Sequence, residues 1–326
     1  MLSKSLLCLI SRRPCQFHRN FSKDLNLNEI KAEFRGYGSG SVDFCTIRNF
    51  GIITINYHEK KNAMSGKMLA QLHDVMSSVG KTRKDLSGLI LTGYGAGTVQ
   101  EFQCNIFQIF NLLFFIPEEV YLNLNFLYIN EFCRFLKFLN STHKNVDMFS
   151  AGGDLQTVHV FLKESQRKGY EMAYLIHETS KLFQKLPFLS VALVNGKAIG
   201  GGAELTLASD FRVFVKNSGE LKFVHANMGL IPTGGATRLS QIIGRDKALE
   251  ILLSCKTVTA EEAVNLGICD KVVSGGHDPL EQTLMWFESL PKHDSSVINS
   301  MKQSVTNYRN EDDFAKERSL FANLWA

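Results

Sequence analysis

Beyond residue 22 the chain of 326 residues has no charge excess. The formal charge of +4 is accounted for by Lys4, Arg12, Arg13 and Arg19, which stand in a stretch, residues 1–22, that holds no acid. The remainder is balanced, so it offers no field for nucleic acid or an anionic membrane. The seven cysteines, at positions 8, 15, 45, 104, 133, 255 and 269, form no C-x-x-C pair and stand at no zinc-ligand spacing to a histidine. They read as reduced thiols of an intracellular protein, with neither a disulfide framework nor a metal site. No apolar run reaches the roughly 20 residues of a membrane span. A G-x-G-x-x-G fingerprint is also missing: Gly93-Tyr94-Gly95-Ala96-Gly97 is followed by Thr98.

The basic, acid-free residues 1–22, with a short apolar patch at Leu6–Ile10, have the makeup of a mitochondrial transit peptide; a plain basic tail has the same makeup. Gly36-Tyr37-Gly38-Ser39-Gly40-Ser41 reads as a flexible joint. Residues 1–41 are therefore expected to be a basic flexible segment, 42–254 the core and 255–326 a helical C-terminal region that stops short.

Within the core, Val42–Arg48 and Gly51–Tyr57 read as a β-hairpin. Met64, Met68, Leu72 and Val75 give helical spacing across Met64–Val79. Ser87–Leu91 and Leu189–Val194 are short apolar runs of buried-strand type. Helices are expected over Asp154–Leu162, Tyr170–Leu186 and Gly201–Ala208, and strands over Phe211–Val215 and Leu221–Val224. From Gly235 the pattern is helical, with a break at Cys269–Val273. The alternation predicts an α/β core. One stretch departs from it. From about Gly97 to Asp147 there are nine of the 24 phenylalanines and no clean period, at a point where a short connection is expected. It reads as translated non-coding sequence, with an inserted helical hairpin as the alternative.

Two glycine-bearing turns carry the chemistry. Phe149-Ser150-Ala151-Gly152-Gly153-Asp154-Leu155 leads into a helix that Asp154 can cap, and it can equally be an ordinary capped turn. Asn195-Gly196-Lys197-Ala198-Ile199-Gly200-Gly201-Gly202-Ala203-Glu204-Leu205 follows a buried strand. It leaves backbone N–H groups free at a helix start, with Glu204 on the same side. Two such loops aiming one N–H each at a shared point make an oxyanion hole.

These two motifs, with Met228-Gly229-Leu230-Ile231-Pro232-Thr233-Gly234-Gly235 and Lys61-Asn62-Ala63-Met64-Ser65, resemble the signatures of the crotonase (enoyl-CoA hydratase/isomerase) superfamily over roughly residues 42–96 and 148–326. The resemblance implies a ββα spiral core with a helical C-terminal region. It implies an acyl-CoA substrate, with CoA as part of the substrate and no separate cofactor. The oxyanion donors it implies are the N–H groups of Ala151 and Gly201. Lys60, Lys61 and Ala63 are placed at the CoA, although Tyr57-His58-Glu59 replace the usual proline before that motif. A homotrimer or hexamer is implied, and so is a cytosolic location, set against the mitochondrial makeup of residues 1–22.

Hydration in that superfamily uses two carboxylates. Glu204 matches the first, but His225 stands where the second is expected. A histidine there can donate to an anion or give up a proton. Phe223-Val224-His225 with Met228-Gly229 is similar to the branch that decarboxylates alkyl-malonyl thioesters. That chemistry forms the same enolate and needs no base to start it. The residues expected to act are thus Ala151, Gly201, Glu204 and His225. An enoyl-CoA hydratase or isomerase, or a product made inactive by the 97–147 stretch, are the alternatives.

Overall fold

The computed structural model describes residues 25–93, 148–157, 165–275 and 278–305, with residues 318 and 322. The stretch 97–147, the basic residues 1–22 and positions 158–162 of the expected Asp154–Leu162 helix lie outside the described residues; Leu155–Thr157 are helical.

The first strands, β1 (Ser41–Ile47) and β2 (Phe50–Asn56), form the expected antiparallel hairpin, turning through Arg48 and Asn49 at positive φ. Strand β2 then pairs in parallel with β3 (Gly88–Gly93). After that the chain alternates between two sheets. Strands β4 (Met148–Ser150), β6 (Lys197–Ile199), β8 (Glu220–Lys222) and β9 (Thr257–Thr259) build a small sheet in that order. Strands β5 (Ser190–Val194), β7 (Phe211–Val215) and β10 (Lys271–Val273) extend the large one, order β1-β2-β3-β5-β7-β10. Each turn of the chain thus leaves one strand in each sheet and a helix outside them, which is the expected ββα spiral. Strands β4, β6 and β9 have three residues each, too few for a period of two to be visible in sequence.

The large sheet is buried on both faces. Ile53, Ile55, Leu89 and Leu91 face the small sheet and the helices, whereas Ile52, Ile90, Val191 and Val213 pack with Leu280, Leu284 and Phe287. Among the described residues, nine helices surround this frame in part, α1 (Leu27–Phe34), α2 (Gly66–Thr82), α3 (Gln166–Gln184), α4 (Gly201–Thr206), α5 (Gly235–Ile243), α6 (Arg245–Ser254), α7 (Ala260–Asn265), α8 (Pro279–Glu288) and α9 (Ser295–Val305), with the short helical turns His58–Lys60 and His225–Met228. The Ser65 hydroxyl caps α2 by accepting the Met68 N–H, and Met68, Leu72, Met76 and Val79 form its buried stripe. Among the described residues no helix is long and apolar enough to cross a membrane.

The N-terminal boundary differs from the expectation. Residues 27–34 are helix α1, capped by Asn26, with Ile30 and Phe34 buried. The glycine-rich joint after it is packed, not free. Gly38 and Gly40 take φ of 80° and 89°, and the Ser65 hydroxyl donates to the Ser39 carbonyl at 2.7 Å. Glycines that signal a linker in sequence serve here to bring the backbone against side chains: Ser65 and Thr157 at Gly38, Met68 and Tyr57 at Gly40. The C-terminal region is likewise not wholly helical, since β9 and β10 return it to both sheets.

A close crossing at the end of β3 aims the chain at the small sheet. A Cβ on Gly93 would lie 2.3 Å from the Phe149 carbonyl oxygen, so no side chain fits. Gly93→Ala is expected to lower unfolding free energy by about 1–3 kcal/mol through overpacking, measured by urea denaturation; an unchanged midpoint would mean that the crossing is loose.

Candidate active site

The loop after β4 is held by the segment that precedes α2. Lys61 and Asn62 both adopt left-handed backbone, φ 55° and 57°, which folds the Lys60–Met64 turn onto the loop. Asn62 Nδ2 donates to the Met148 carbonyl at 3.1 Å, and Ser150 Oγ donates to the Asn62 carbonyl at 2.8 Å. The Ala151 N–H donates to the Lys61 carbonyl at 3.0 Å. The Met64 N–H donates to Gly152 O at 2.7 Å, and the Asp154 N–H to Met64 O at 2.9 Å.

This ladder corrects one sequence expectation. The Ala151 amide is committed to Lys61 and is not available to a ligand. In a strand running straight through, alternate amides would point the same way. Gly152, at φ 93°, reverses that phase. Met64 and Gly153 then form a parallel bridge, in which the bonds run through the neighbours of Gly153 and its own N–H points away from Met64. Gly153, not Ala151, carries the open amide. Glycine patterns do not reveal which amide is already bonded; the pairing partner is 90 residues away.

The second loop meets the first at this point. Gly200 donates to Lys222 O at 2.8 Å and takes φ 53°, after which Gly201 opens α4 with an N–H that has no helical acceptor. A Cβ on Gly152 would lie 2.7 Å from Ile199 O and 3.4 Å from Gly201 N, and one on Gly201 would lie 3.8 Å from Gly153 N. The amides of Gly153 and Gly201 therefore stand side by side on the wall of a cavity of about 280 Å³. Two adjacent N–H donors can stabilise an oxygen that gains negative charge.

Glu204 and His225 line the same cavity. Glu204 Oε2 accepts from Thr233 Oγ1 at 3.1 Å and from the N–H groups of Gly234 and Gly235 at 2.9 Å each. Its carboxylate thus caps the start of α5. Gly235 must be glycine for this approach, because a Cβ there would lie 2.6 Å from Glu204 Cγ. Glu204 Oε1 faces His225 Nε2 at 2.9 Å. Burial alone would raise the Glu204 carboxyl, but the imidazole and the two amides outweigh it and hold it below the usual range. His225 is buried, and its Nδ1 has no hydrogen-bond partner among the described residues.

The residues expected at CoA stand around the turn rather than in the cavity. Lys60 Nζ contacts Asp154 at 3.1 Å and Gln156 at 2.6 Å, Lys61 is exposed, and Ala63 is buried with its N–H on the Lys60 carbonyl. Asp154 accepts from Thr157 Oγ1 at 3.0 Å and from the Gln156 N–H at 3.4 Å, as a cap does.

The enoyl-CoA hydratase/isomerase family description matches residues 142–324 of the chain. An ethylmalonyl-CoA decarboxylase of Xenopus tropicalis is 31% identical over 313 residues, 94% of this chain and 86% of that protein. The Bos taurus protein of the same name is 29% identical over 313 residues, 94% and 84% of the two chains. Among solved structures, an enoyl-CoA hydratase from Bacillus halodurans superposes with a TM-score of 0.66 at 19% identity, covering 87% of this chain and 94% of that one. One from Thermoplasma volcanium gives 0.61 at 20%, covering 87% and 91%. At such identities the structural likeness concerns the fold.

Because the folded-state pKa of Glu204 lies below its ordinary value of 4.5, its contribution to stability is present above about pH 4.5 and is lost as pH falls through the lower folded value. Glu204→Gln is expected to cost about 1–3 kcal/mol at pH 7 and to flatten the acid limb of a melting-temperature profile between pH 3 and 7. An unchanged acid limb would place the acid sensitivity elsewhere.

Proposed function

The chain belongs to the enoyl-CoA hydratase/isomerase family and is an enzyme of it; on that premise we propose that it decarboxylates ethylmalonyl-CoA and, less well, methylmalonyl-CoA. The observation that carries this reading is the pairing of Glu204 with His225 beside two open amides. Hydration needs two carboxylates to position and deprotonate a water. Here one carboxylate is saturated by Thr233, Gly234, Gly235 and His225, and the second position is a histidine.

The thioester oxygen is received by the N–H groups of Gly153 and Gly201. As the bond from the α-carbon to the carboxylate breaks, its electron pair passes into the thioester and leaves an enolate that these donors stabilise. Carbon dioxide departs, and the α-carbon takes a proton. His225 delivers that proton, while the anionic Glu204 orients the ring through Nε2 and balances positive charge on it. CoA enters as part of the substrate, and no other cofactor has a role in these steps. In this reading Lys60 and Lys61, on the turn with Ala63, meet the CoA phosphates. Removing an unneeded dicarboxylic thioester would serve fatty-acid metabolism. The reading includes a cytosolic location and a trimeric or hexameric assembly; exposed Leu249, Leu253 and Val264 on α6 and α7 support a subunit contact.

Three substitutions at two residues separate this mechanism from its alternatives. Proline is well tolerated at the first position of a helix, so Gly201→Pro deletes one donor with little backbone cost. It is expected to lower kcat for ethylmalonyl-CoA decarboxylation by about 10²–10³, whereas Gly201→Ala keeps the N–H and adds a methyl in ordinary van der Waals contact with the Gly153 nitrogen, so its loss is smaller. His225→Ala is expected to lower decarboxylation by about 10²–10⁴. Release of carbon dioxide and hydration of crotonyl-CoA are measured side by side; fast hydration without decarboxylation would overturn the proposal.

A further inference from the structure

Helix α1 lies outside the two-sheet spiral, yet it is one of the better-anchored parts of the chain. Asp74 of α2 pairs with Lys31 at 2.7 Å and with Arg35 at 2.5 Å, and Glu33 pairs with Lys168 in the first turn of α3. The Tyr37 carbonyl just after the helix accepts the Lys67 N–H at 2.9 Å. Ile30 and Phe34, the latter fully buried, share one packed cluster with Met172 and Leu230, against which Leu69 and Ile176 also rest. Those four residues line the cavity. Gly66 lines it too, and a Cβ on it would lie 2.9 Å from the Phe34 carbonyl oxygen. The lining therefore has two parts. The loops supply amides, carboxylate and imidazole; α2, α3 and Leu230 supply an apolar side, and α1 stands directly behind that side.

We infer that α1 sets the depth of the alkyl end of the cavity, with Phe34 as the positioning residue that keeps Leu69 and Met172 forward. This inference deepens the thioester reading and rests on it for the identity of the occupant: the alkyl group carried on the α-carbon, or the acyl tail of an acyl-CoA. Phe34 touches no substrate. It acts by denying the lining side chains the room to retreat. Interiors are close-packed and transmit such constraints, and removing a large buried side chain leaves space that neighbours or ligand can occupy.

The test compares the wild-type chain with Phe34→Leu and Phe34→Ala. Binding of saturated acyl-CoAs from butyryl to decanoyl is measured by calorimetry, and kcat and KM are measured for ethyl-, butyl- and hexylmalonyl-CoA. For the wild type, affinity stops rising at a short chain. For Phe34→Ala the limit moves outward by two or three methylenes, at about fourfold in affinity for each methylene newly buried. The butyl-to-ethyl ratio of kcat/KM rises at least tenfold through KM, with kcat little changed. Phe34→Leu, which is the milder variant should the alanine variant not fold, falls between. A uniform loss across all chain lengths, or an unmoved length limit, overturns the role of α1. Because the calorimetric length series needs no turnover, it decides this inference even if the wild type decarboxylates none of the malonyl thioesters, a result that would overturn the functional reading alone.

Discussion

The site depends on a backbone ladder between two segments that are far apart in sequence. Lys61, Asn62 and Met64 offer carbonyls and amides to Met148 through Asp154, and every bond in the ladder takes one group out of reach of a ligand. What the ladder leaves over is the Gly153 amide. Specificity for an oxyanion thus arises by subtraction: neighbours on the same loop are satisfied, and one donor is left open toward the cavity, where it can meet an oxygen that gains negative charge. The same logic applies at Gly201, whose N–H is left open because it begins a helix.

Glu204 ties the chemistry to the architecture. One of its oxygens holds the start of α5, and the other holds His225. The carboxylate is stable as an anion because three donors and an imidazole surround it, so its charge is maintained in a place where burial would otherwise remove it. A group this committed does not exchange protons readily. Its contribution is to fix the ring of His225 and to keep a negative charge beside it, while the helix that it caps keeps Thr233, Gly234 and Gly235 in register with the cavity. Stability and site geometry are therefore coupled at one residue.

The reach of sequence reading can be traced through particular elements. Strands such as Leu189–Val194 and the stripe of Met68, Leu72, Met76 and Val79 carry their period openly, because several residues repeat one instruction. Helix α1 escaped notice because it sits between a basic stretch and a glycine-rich segment, both of which resemble linker. Its eight residues are stabilised largely by partners on α2 and α3, and short helices owe most of their stability to such packing. Strands β4, β6 and β9 of the small sheet were invisible for a related reason: they exist because partner strands are present. Ala151 and Gly153 show the same limit at the level of one hydrogen bond. Both stand in one glycine-bearing turn, and local pattern does not say which amide is already bonded.

The chain alone determined an α/β core, the two glycine-bearing turns and the presence of Glu204 and His225; the spiral, and His225 as the replacement of a second carboxylate, followed from the resemblance those motifs carry. Those features reside in residue identity and short-range spacing, which survive without a partner. Only the tertiary structure decided that Gly153 rather than Ala151 presents its N–H, that Glu204 is locked by α5 and His225 at once, and that α1 backs the apolar side of the cavity. Each of these is a relation between segments tens of residues apart, and hydrogen-bond direction and packing depth have no value until both members are in place.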